Sequence, residues 1–270
     1  MHLDEMFKLD GKVAAVTGGS RNLGYDMAEI LAEAGCNLVI TSRTLSNAEQ
    51  AAEKLRNDTG REILALDLDV SKPEQIEAFA ESAWSWKGHV DILINNAGGN
   101  TGATSGHLFH RSAQDIIDLI ALNLTGSLLC CKALSPKMAE RGSGKIINIA
   151  SIAGLCGRDR RMYDRNDMGG GQPIDYAAAK AGLIGMTMDL AGLLSPMGIQ
   201  VNAISPGGFW GNTRTIPESF VKDYSNCTPM GRMGRDGIDL KGAALYLASP
   251  ASDYVTGHNL VVDGGFTMWK

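Results

Sequence analysis

The sequence predicts an α/β protein whose parallel sheet is covered by helices on both faces. Short apolar segments rich in β-branched residues, such as KVAAVTGG (12–19) and NLVITSR (37–43), alternate with segments whose apolar residues follow helical spacing. The first strand ends in the glycine-rich turn TGGSRNLG (17–24). Strands and helices that alternate at this pace are typical of parallel strands joined by crossover helices.

The predicted elements follow in order along the chain. Strands are predicted at 12–19, 37–43, 62–70, 91–99, 144–151, 198–208 and 259–265. Helices are predicted at 22–35, at 112–134 and from 175 onward, where DYAAAKAG begins a third helix.

The glycine-rich turn suits a bound dinucleotide. Gly18 and Gly19 allow a sharp turn, and Gly24 lets the following helix start close to the strand, so that free N–H groups of the helix can meet a pyrophosphate. A plain turn between strand and helix is the alternative for this segment taken alone.

Tyr176 and Lys180 are four residues apart, and a helix would place them on one face. An ammonium close to a phenol favours the phenolate and lowers its pKa from about 10 toward the range of a general acid or base. The pair therefore indicates proton transfer, whereas an isolated pair of this spacing would more often belong to a solvated helix face.

Composition fits a single cytoplasmic domain. The chain has 270 residues, a formal charge of −5 and a pI near 5.6, which argue against nucleic acid or an anionic membrane surface as a partner. Residues 1–12 lack an apolar signal segment, and no run of about 18 apolar residues occurs, so neither secretion nor membrane spanning is expected. The five cysteines lack metal-ligand spacing, so we expect reduced thiols and no metal site.

Several motifs together resemble one family, the short-chain dehydrogenases/reductases. They are TGGSRNLG, the aspartate at the end of the third strand, NNAG (95–98), LNLTG (122–126), IASIAG (149–154), YAAAK (176–180), NAISPGG (202–208) and VVDGG (261–265). The resemblance implies a single Rossmann-like, doubly wound domain over residues 1–270, with a seven-stranded parallel sheet flanked by helices on both faces. It also implies NAD(P)-dependent interconversion of an alcohol and a carbonyl, and a homotetramer or homodimer.

Matching these motifs position by position assigns four catalytic residues. Ser151 resembles the serine that hydrogen-bonds the substrate oxygen, and Tyr176 resembles the acid/base that exchanges a proton with it. Lys180 resembles the lysine that lowers the tyrosine pKa and holds the nicotinamide ribose. Asn123 matches the residue that kinks its helix and positions a water in the proton relay. The alternatives are structural roles: a strand end, a buried backbone partner and a solvated helix face.

The same resemblance predicts the residues that hold the cofactor. They are Gly18, Ser20, Arg21, Asn22, Leu23, Gly24, Ser42, Arg43, Asp69, Val70, Asn96, Ala97, Gly98, Tyr176, Lys180, Pro206, Gly207 and Thr213. Extra glycines after Pro206 leave the register of Thr213 open.

The charges favour NADP(H) over NAD(H). An acid at the end of the second strand would bind both ribose hydroxyls of NAD and repel the 2′-phosphate of NADP, but this chain has Ser42 there, followed by Arg43. Arg21 is a second cation inside the turn, and guanidinium groups bind phosphates well. The alternative is that Arg43 only caps a solvated strand end. Asn22 replaces the family's usual glycine, and asparagine tolerates a left-handed backbone there.

An insertion distinguishes this chain from the family. Tyr176 follows Ser151 by 25 residues, roughly twice the usual interval, so residues 154–173 are predicted to shape the substrate site. The segment carries Arg158, Arg160, Arg161 and Arg165 among aspartates, and its glycine-rich end is expected to be mobile. It is either an anion-recognising lid or a solvated loop whose charges pair with one another or with a neighbouring subunit.

The candidate substrate residues are Arg158, Arg161, Phe209 and Trp210. The sequence is thus expected to encode an NADP-dependent oxidoreductase acting on a sugar, sugar acid or polyol, similar to 5-keto-gluconate reductases. A reductase of 3-oxoacyl groups on the acyl carrier protein is the alternative. A sensor that binds the cofactor without turnover is a third possibility, from a different class, which the complete set of four catalytic residues argues against.

Overall fold

A computed structural model describes residues 2–99, 106–169, 171–210 and 216–269. The strands are β1 (Val13–Val16), β2 (Asn37–Ser42), β3 (Ile63–Asp67), β4 (Ile92–Asn95), β5 (Gly144–Ile149), β6 (Ile199–Pro206), β7 (Phe209–Trp210), β8 (Gly234–Arg235) and β9 (Asn259–Val262). The α-helices are α1 (Leu3–Met6), α2 (Asn22–Glu33), α3 (Leu45–Thr59), α4 (Pro73–Lys87), α5 (Ala113–Ile120), α6 (Gly126–Arg141), α7 (Arg160–Asp164), α8 (Ile174–Leu194), α9 (Glu218–Asn226) and α10 (Lys241–Ala248).

Seven parallel strands form the main sheet in the order β3-β2-β1-β4-β5-β6-β9. This order confirms the predicted doubly wound sheet. Strands are added on one side of β1 up to β3 and on the other side from β4 onward, so the strand order switches between β1 and β4. The carboxyl ends of these two parallel strands border a crevice where such folds bind ligands. β7 and β8 form a separate two-stranded sheet beyond the end of β6.

The strands are buried on both faces because successive side chains of a strand point to opposite sides. One core cluster contains Val16 and Leu31, and the cluster on the other face contains Val13, Leu93 and Leu134. Parallel strands covered in this way read as nearly continuous apolar runs, which explains the uniformly apolar VAAV of β1.

The helix predicted over 112–134 contains an irregular turn. A π-helical turn, Ala121–Thr125, separates α5 from α6 and places one extra residue between them. Ser112 caps the start of α5, where its hydroxyl accepts a hydrogen bond from the backbone N–H of Asp115. Asn123 lies in the middle of the π-turn, where the resemblance predicts a kink.

The insertion contains a helix and a small core of its own, rather than only a loop. Met162 of α7 is buried together with Phe220 and Tyr224 of α9, and the Tyr163 and Phe220 rings lie 5.2 Å apart. The expected glycine-rich mobile end includes Gly170, which lies outside the described residues. In the described part, the insertion is anchored on α9.

Two helical stretches are long and apolar enough to cross a membrane by length and composition alone. They are Ala113–Arg141, with mean hydropathy 1.6, and Ile174–Met197, with mean hydropathy 1.3. The first includes the π-turn and packs against α4, and the second packs against β6, so both cover the sheet. Core helices of a layered α/β fold pass the same test, so the finding is weak evidence for a membrane.

Candidate active site

The glycine-rich turn leaves no room for a side chain where α2 meets β1. A Cβ on Gly24 would lie 2.3 Å from the carbonyl oxygen of Gly18 and 2.4 Å from Nδ2 of Asn96. The Asn96 amide donates to the carbonyl oxygens of Thr17 at 2.9 Å and Gly18 at 3.1 Å. These contacts hold the backbone close to the amino end of α2, which is the geometry that binds a phosphate.

Asn22 begins α2 with a φ of 50°. This value lies in the left-handed region, which asparagine tolerates better than most residues. The turn therefore keeps its path without the glycine that the family usually has at this position.

The end of β2 carries the positive charge predicted from the sequence. Ser42 accepts a hydrogen bond from the backbone N–H of Thr44 at 3.4 Å, and the Arg43 side chain is exposed. Burial raises the pKa of the neighbouring Asp69, but hydrogen bonds from Ser71 and the charges of Lys72 and Arg43 outweigh it and hold the pKa below its usual value. Arg43 thus lies within electrostatic reach of a carboxylate, which balances part of its charge.

Lys180 and Tyr176 lie together in the first turns of α8. The Lys180 ammonium is 5.6 Å from the centre of the Tyr176 ring and donates to the carbonyl oxygen of Ile149 at 2.8 Å. Both residues are buried, and burial lowers the pKa of Lys180 to about 8. A cation close to a phenol in a dry site can stabilise the phenolate strongly.

Asn123 ties the π-turn to the loop after β4. Its Nδ2 donates to the carbonyl oxygens of Gly99 at 2.8 Å and Leu119 at 3.0 Å, while Oδ1 accepts from the backbone N–H of Gly99 at 2.8 Å. A Cβ on Gly98 would lie 2.8 Å from that Oδ1 and 3.4 Å from the Lys180 nitrogen. The structure therefore brings Asn123, Gly98 and Lys180 together.

Ser151 follows β5 and caps a short 3-10 turn, Ile152–Gly154. Its hydroxyl accepts a hydrogen bond from the backbone N–H of Ala153 at 3.1 Å, which leaves the hydroxyl proton available to a substrate oxygen. Ala153 packs in one cluster with Tyr176 and Leu119, so the turn is held against α8.

The remaining predicted cofactor residues lie along the carboxyl edge of the sheet. Val70 is buried, and Gly207 donates its N–H to the carbonyl oxygen of Val262 at 3.0 Å. The residues with the same edge location are Ser20, Arg21 and Leu23 near the first turn, Ala97 after β4 and Pro206 at the end of β6. Thr213 lies outside the described residues.

A buried ion pair beside Tyr176 was not found from the sequence. The Arg111 guanidinium pairs with Asp175, the residue before Tyr176, and Nη2 of Arg111 also donates to the carbonyl oxygen of Asp115 at 3.0 Å. The Arg111 side chain is 1% exposed, and its Nε and Nη1 have no hydrogen-bond partner in the part of the chain that the structure describes. The two charges are 64 residues apart in the chain, so no local spacing indicates the pair.

The arginines of the insertion have different surroundings. Arg161 makes two 2.8 Å hydrogen bonds to the carboxylate of Asp159 and is 83% exposed, so it lies at the surface. Arg165 pairs with Asp223 of α9 at 2.6 Å. Only Arg158, among the arginines that the structure describes in this segment, is recorded over the Tyr176 ring, with its Cζ 5.9 Å from the ring centre.

The two predicted aromatic residues also differ. Phe209 is 2% exposed and packs in the core of the main sheet, so it does not line the open cleft as the sequence led us to expect. Trp210 is 46% exposed. Tyr224, which the sequence analysis passed over, accepts a 2.6 Å hydrogen bond from the backbone N–H of Gly208 and fixes the turn after Pro206.

Comparison with known proteins identifies the family. The sequence model described as enoyl-(acyl carrier protein) reductase matches residues 18–267. The 3-oxoacyl-[acyl-carrier-protein] reductase FabG of Aquifex aeolicus is 34% identical over 260 residues, covering 96% of this chain and 98% of the relative. The 2-dehydro-3-deoxy-D-gluconate 5-dehydrogenase of Bacillus subtilis is 36% identical over 274 residues, covering 98% of each.

A solved structure has the same fold. The gluconate 5-dehydrogenase of Burkholderia cenocepacia, in complex with NADP and tartrate, superimposes with a TM-score of 0.87 at 33% identity and covers 99% of each chain. The chain is thus an oxidoreductase of the NAD(P)-dependent class that acts on CH–OH groups. It belongs to the short-chain dehydrogenase/reductase family.

Proposed function

We propose that this protein is an NADP(H)-dependent oxidoreductase that interconverts an alcohol and a carbonyl on a sugar, sugar acid or polyol. The observation that carries the proposal is the buried pair of Tyr176 and Lys180 at the carboxyl edge of the sheet. Among the described residues, no ion pair is recorded for Lys180, and a buried lysine beside a phenol is suited to proton transfer.

The residues present fit a dinucleotide. The contact of Gly24 with Gly18 and Asn96 keeps the turn narrow enough for a pyrophosphate at the amino end of α2. When bound, the nicotinamide supplies or accepts the hydride. Gly98 and Lys180 line the end of the crevice nearest Tyr176, where the nicotinamide ribose would be held.

The side chains divide the proton chemistry among them. Tyr176 gives a proton to the substrate oxygen during reduction and takes it back during oxidation. Lys180 stabilises the phenolate, and Ser151 donates a hydrogen bond that orients the substrate oxygen. Asn123 holds the bend between α5 and α6 and the backbone around it, which positions the water of the proton relay.

The preference for NADP(H) rests on charge. Ser42 offers no carboxylate to the ribose, and the exposed Arg43 and Arg21 can bind a 2′-phosphate. A relative crystallised with NADP supports the same choice. Both arginines are exposed to solvent, which screens their charges, so we expect a preference rather than an exclusive use of NADP(H).

Cofactor choice can be tested by kinetics. Arg43→Ala should raise the KM for NADPH by about 10-fold, the effect of losing one hydrogen bond to a charged group, and change the KM for NADH little. Ser42→Asp should shift the ratio further toward NADH because it places a carboxylate against the 2′-phosphate. A wild-type enzyme with the higher kcat/KM for NADH would contradict the proposal.

The relatives support two different substrate classes. The gluconate dehydrogenases support a sugar acid or polyol, while the FabG relatives support a 3-oxoacyl group on the acyl carrier protein as the second candidate. The net charge of −5 disfavours the acidic carrier protein. A panel of polyols, sugar acids and 3-oxoacyl thioesters, assayed with both cofactors, discriminates between the two; turnover of thioesters alone would favour the second.

We further propose a cytoplasmic homotetramer with neither nucleic acid nor membrane as a partner. Apolar side chains stay exposed on the long helices α6 and α8, among them Leu128 at 44%, Met188 at 57% and Leu193 at 59%. Contact with other subunits would remove this apolar surface from water. A monomeric mass in light scattering at micromolar concentration would reject the assembly.

A further inference from the structure

We propose that Arg158 binds the carboxylate of an anionic substrate and so selects sugar acids over neutral polyols. This inference rests on the proposed function, because it concerns the substrate of the same site. Of the four arginines in the insertion, only Arg158 is assigned to binding the substrate.

The location of Arg158 is the first support. Its guanidinium lies 5.9 Å from the centre of the Tyr176 ring, a separation that a short carbon chain can span. The side chain borders a cleft of about 280 Å³, whose walls include Ala153, Cys156, Arg160, Pro173 and Ala177. Ala153 and Ala177 lie close in the chain to Ser151 and Tyr176, and Arg158 itself connects the cleft to the Tyr176 ring.

The hydrogen bonding of Arg158 is the second support. Its Nη1 donates to the carbonyl oxygen of Gln172, while the buried Nη2 has no hydrogen-bond partner among the described residues. A buried donor without a partner is costly, and more so on a charged group. Burial lowers the pKa of Arg158, but a guanidinium keeps its proton at neutral pH. The residue therefore holds a positive charge with spare donor capacity beside the cleft.

Two of the three neighbouring arginines are paired with carboxylates. Arg161 forms a two-point ion pair with Asp159, and Arg165 forms an ion pair with Asp223. No ion pair to a carboxylate is recorded for Arg158 among the residues that the structure describes. The positive charge of Arg158 is therefore available to an anion.

A carboxylate is well matched to the shape of this arginine. Its two oxygens lie in one plane and suit the flat edge of a guanidinium, which can make two parallel hydrogen bonds to them. A substrate bound in this way would place its carboxylate at Arg158 and a hydroxyl-bearing carbon near Tyr176. The reacting carbon would therefore be separated from the carboxylate by a few carbons.

The test uses matched pairs that differ only in carboxylate groups: one carboxylate in the first pair and two in the second. With NADP⁺, kcat/KM is measured for D-gluconate and for D-glucitol, in which CH₂OH replaces the carboxylate. Binding of L-tartrate and of neutral L-threitol to the enzyme–NADPH complex is measured by fluorescence, so that a result is obtained even for ligands that are not turned over. The variants are Arg158→Gln, Arg158→Lys and, as the matched control, the exposed Arg161→Gln.

We expect the wild-type enzyme to favour the carboxylate of at least one pair by about 10-fold or more. Arg158→Gln should reduce that preference by about 10- to 100-fold and leave the neutral ligand within about 3-fold, because only the charged hydrogen bonds are lost. Arg158→Lys should lose less, and Arg161→Gln should change neither ligand. NADPH affinity and melting temperature, measured for each variant, show whether the fold is kept.

Equal losses for charged and neutral ligands in Arg158→Gln would overturn the proposal. A wild-type enzyme that favours the carboxylate in neither pair would overturn it as well. The proposed function fails separately: an enzyme that turns over no alcohol or ketone of the panel would reject it, while the tartrate titration would still report on Arg158.

Discussion

The two sides of the cleft differ in the charge of the buried groups that lack a hydrogen-bond partner. The cofactor side consists of the turn 17–24 and the strand end 95–98; Asn96 there donates to Thr17 and Gly18, and only a neutral amide oxygen, Oδ1 of Asn95, is unsatisfied among the described residues of these two segments. The substrate side consists of the insertion 154–173 and the segment 106–112. There, within the described part of the chain, guanidinium nitrogens of Arg158 and Arg111 are buried without hydrogen-bond partners.

This difference indicates that the cofactor side is formed before a ligand binds, whereas the substrate side has donors that a ligand could satisfy. The cofactor side is completed by backbone contacts and amide hydrogen bonds, so its shape is fixed before a ligand arrives. The two arginines of the substrate side differ from each other as well: Arg111 pairs with the carboxylate of Asp175, whereas Arg158 donates to the neutral carbonyl oxygen of Gln172. The first can serve structure, and the second is suited to recognition.

The largest effect is expected at Tyr176, where the two sides meet. Tyr176→Phe should lower kcat by a factor of about 10² to 10⁴ or more, because the ring remains but the proton donor is lost. NADPH binding, followed by fluorescence, should change little because Lys180 and the glycine-rich turn are intact. If the variant kept a substantial part of kcat, Tyr176 would not be the proton donor, and the reaction could not be assigned to the place where the two sides meet.

A smaller effect is expected at Gly24 and tests whether the cofactor side is rigid. Gly24→Ala would force a methyl group against the Gly18 carbonyl oxygen at 2.3 Å, so we expect a loss of about 1–3 kcal/mol in unfolding free energy, as for overpacking, and weaker NADPH binding. The control is Gly242→Ala in α10, where a Cβ would meet nothing within 4 Å. Urea denaturation of both variants measures the difference, and equal stabilities would mean that the turn can relax.

The third effect concerns pH and the charge of Lys180. Burial lowers its pKa from 10.5 to about 8, so the folded protein releases this proton at a lower pH than the unfolded chain does. Between these values the unfolded chain binds more protons, and the unfolding free energy should therefore rise with pH. Activity should fall over the same range because the ammonium that stabilises the phenolate is lost.

The variant Lys180→Met isolates this contribution. Urea titrations between pH 7 and 10 should show a smaller rise in unfolding free energy for the variant than for the wild-type protein. Parallel curves for the two proteins, or a kcat that keeps rising well above pH 8, would mean that Lys180 stays charged in the fold.

The cofactor side was well predicted from the sequence because its strands and turns are determined by residues that are close together in the chain. The strand that ends in TGG and the strand that ends in NNAG each carry their own periodicity and turn residues, and their order in the sheet follows from the doubly wound pattern. The substrate side was less predictable. Arg111 and Asp175 meet across 64 residues, and Phe209 looks like a pocket residue by position but packs in the core. Such contacts depend on how separate segments pack, which no short spacing encodes.

The anchoring of the insertion has a consequence for exchanging parts between reductases. Asp223 of α9 accepts hydrogen bonds from both Arg165 and Asn166, and the Tyr163, Phe220, Tyr224 and Phe266 rings follow one another at 5.2, 6.2 and 4.4 Å. The unit that could be transplanted is therefore discontinuous: residues 154–173, α9 and the tail around Phe266 would have to travel together. A graft of the insertion alone would arrive without the helix and the rings against which it folds.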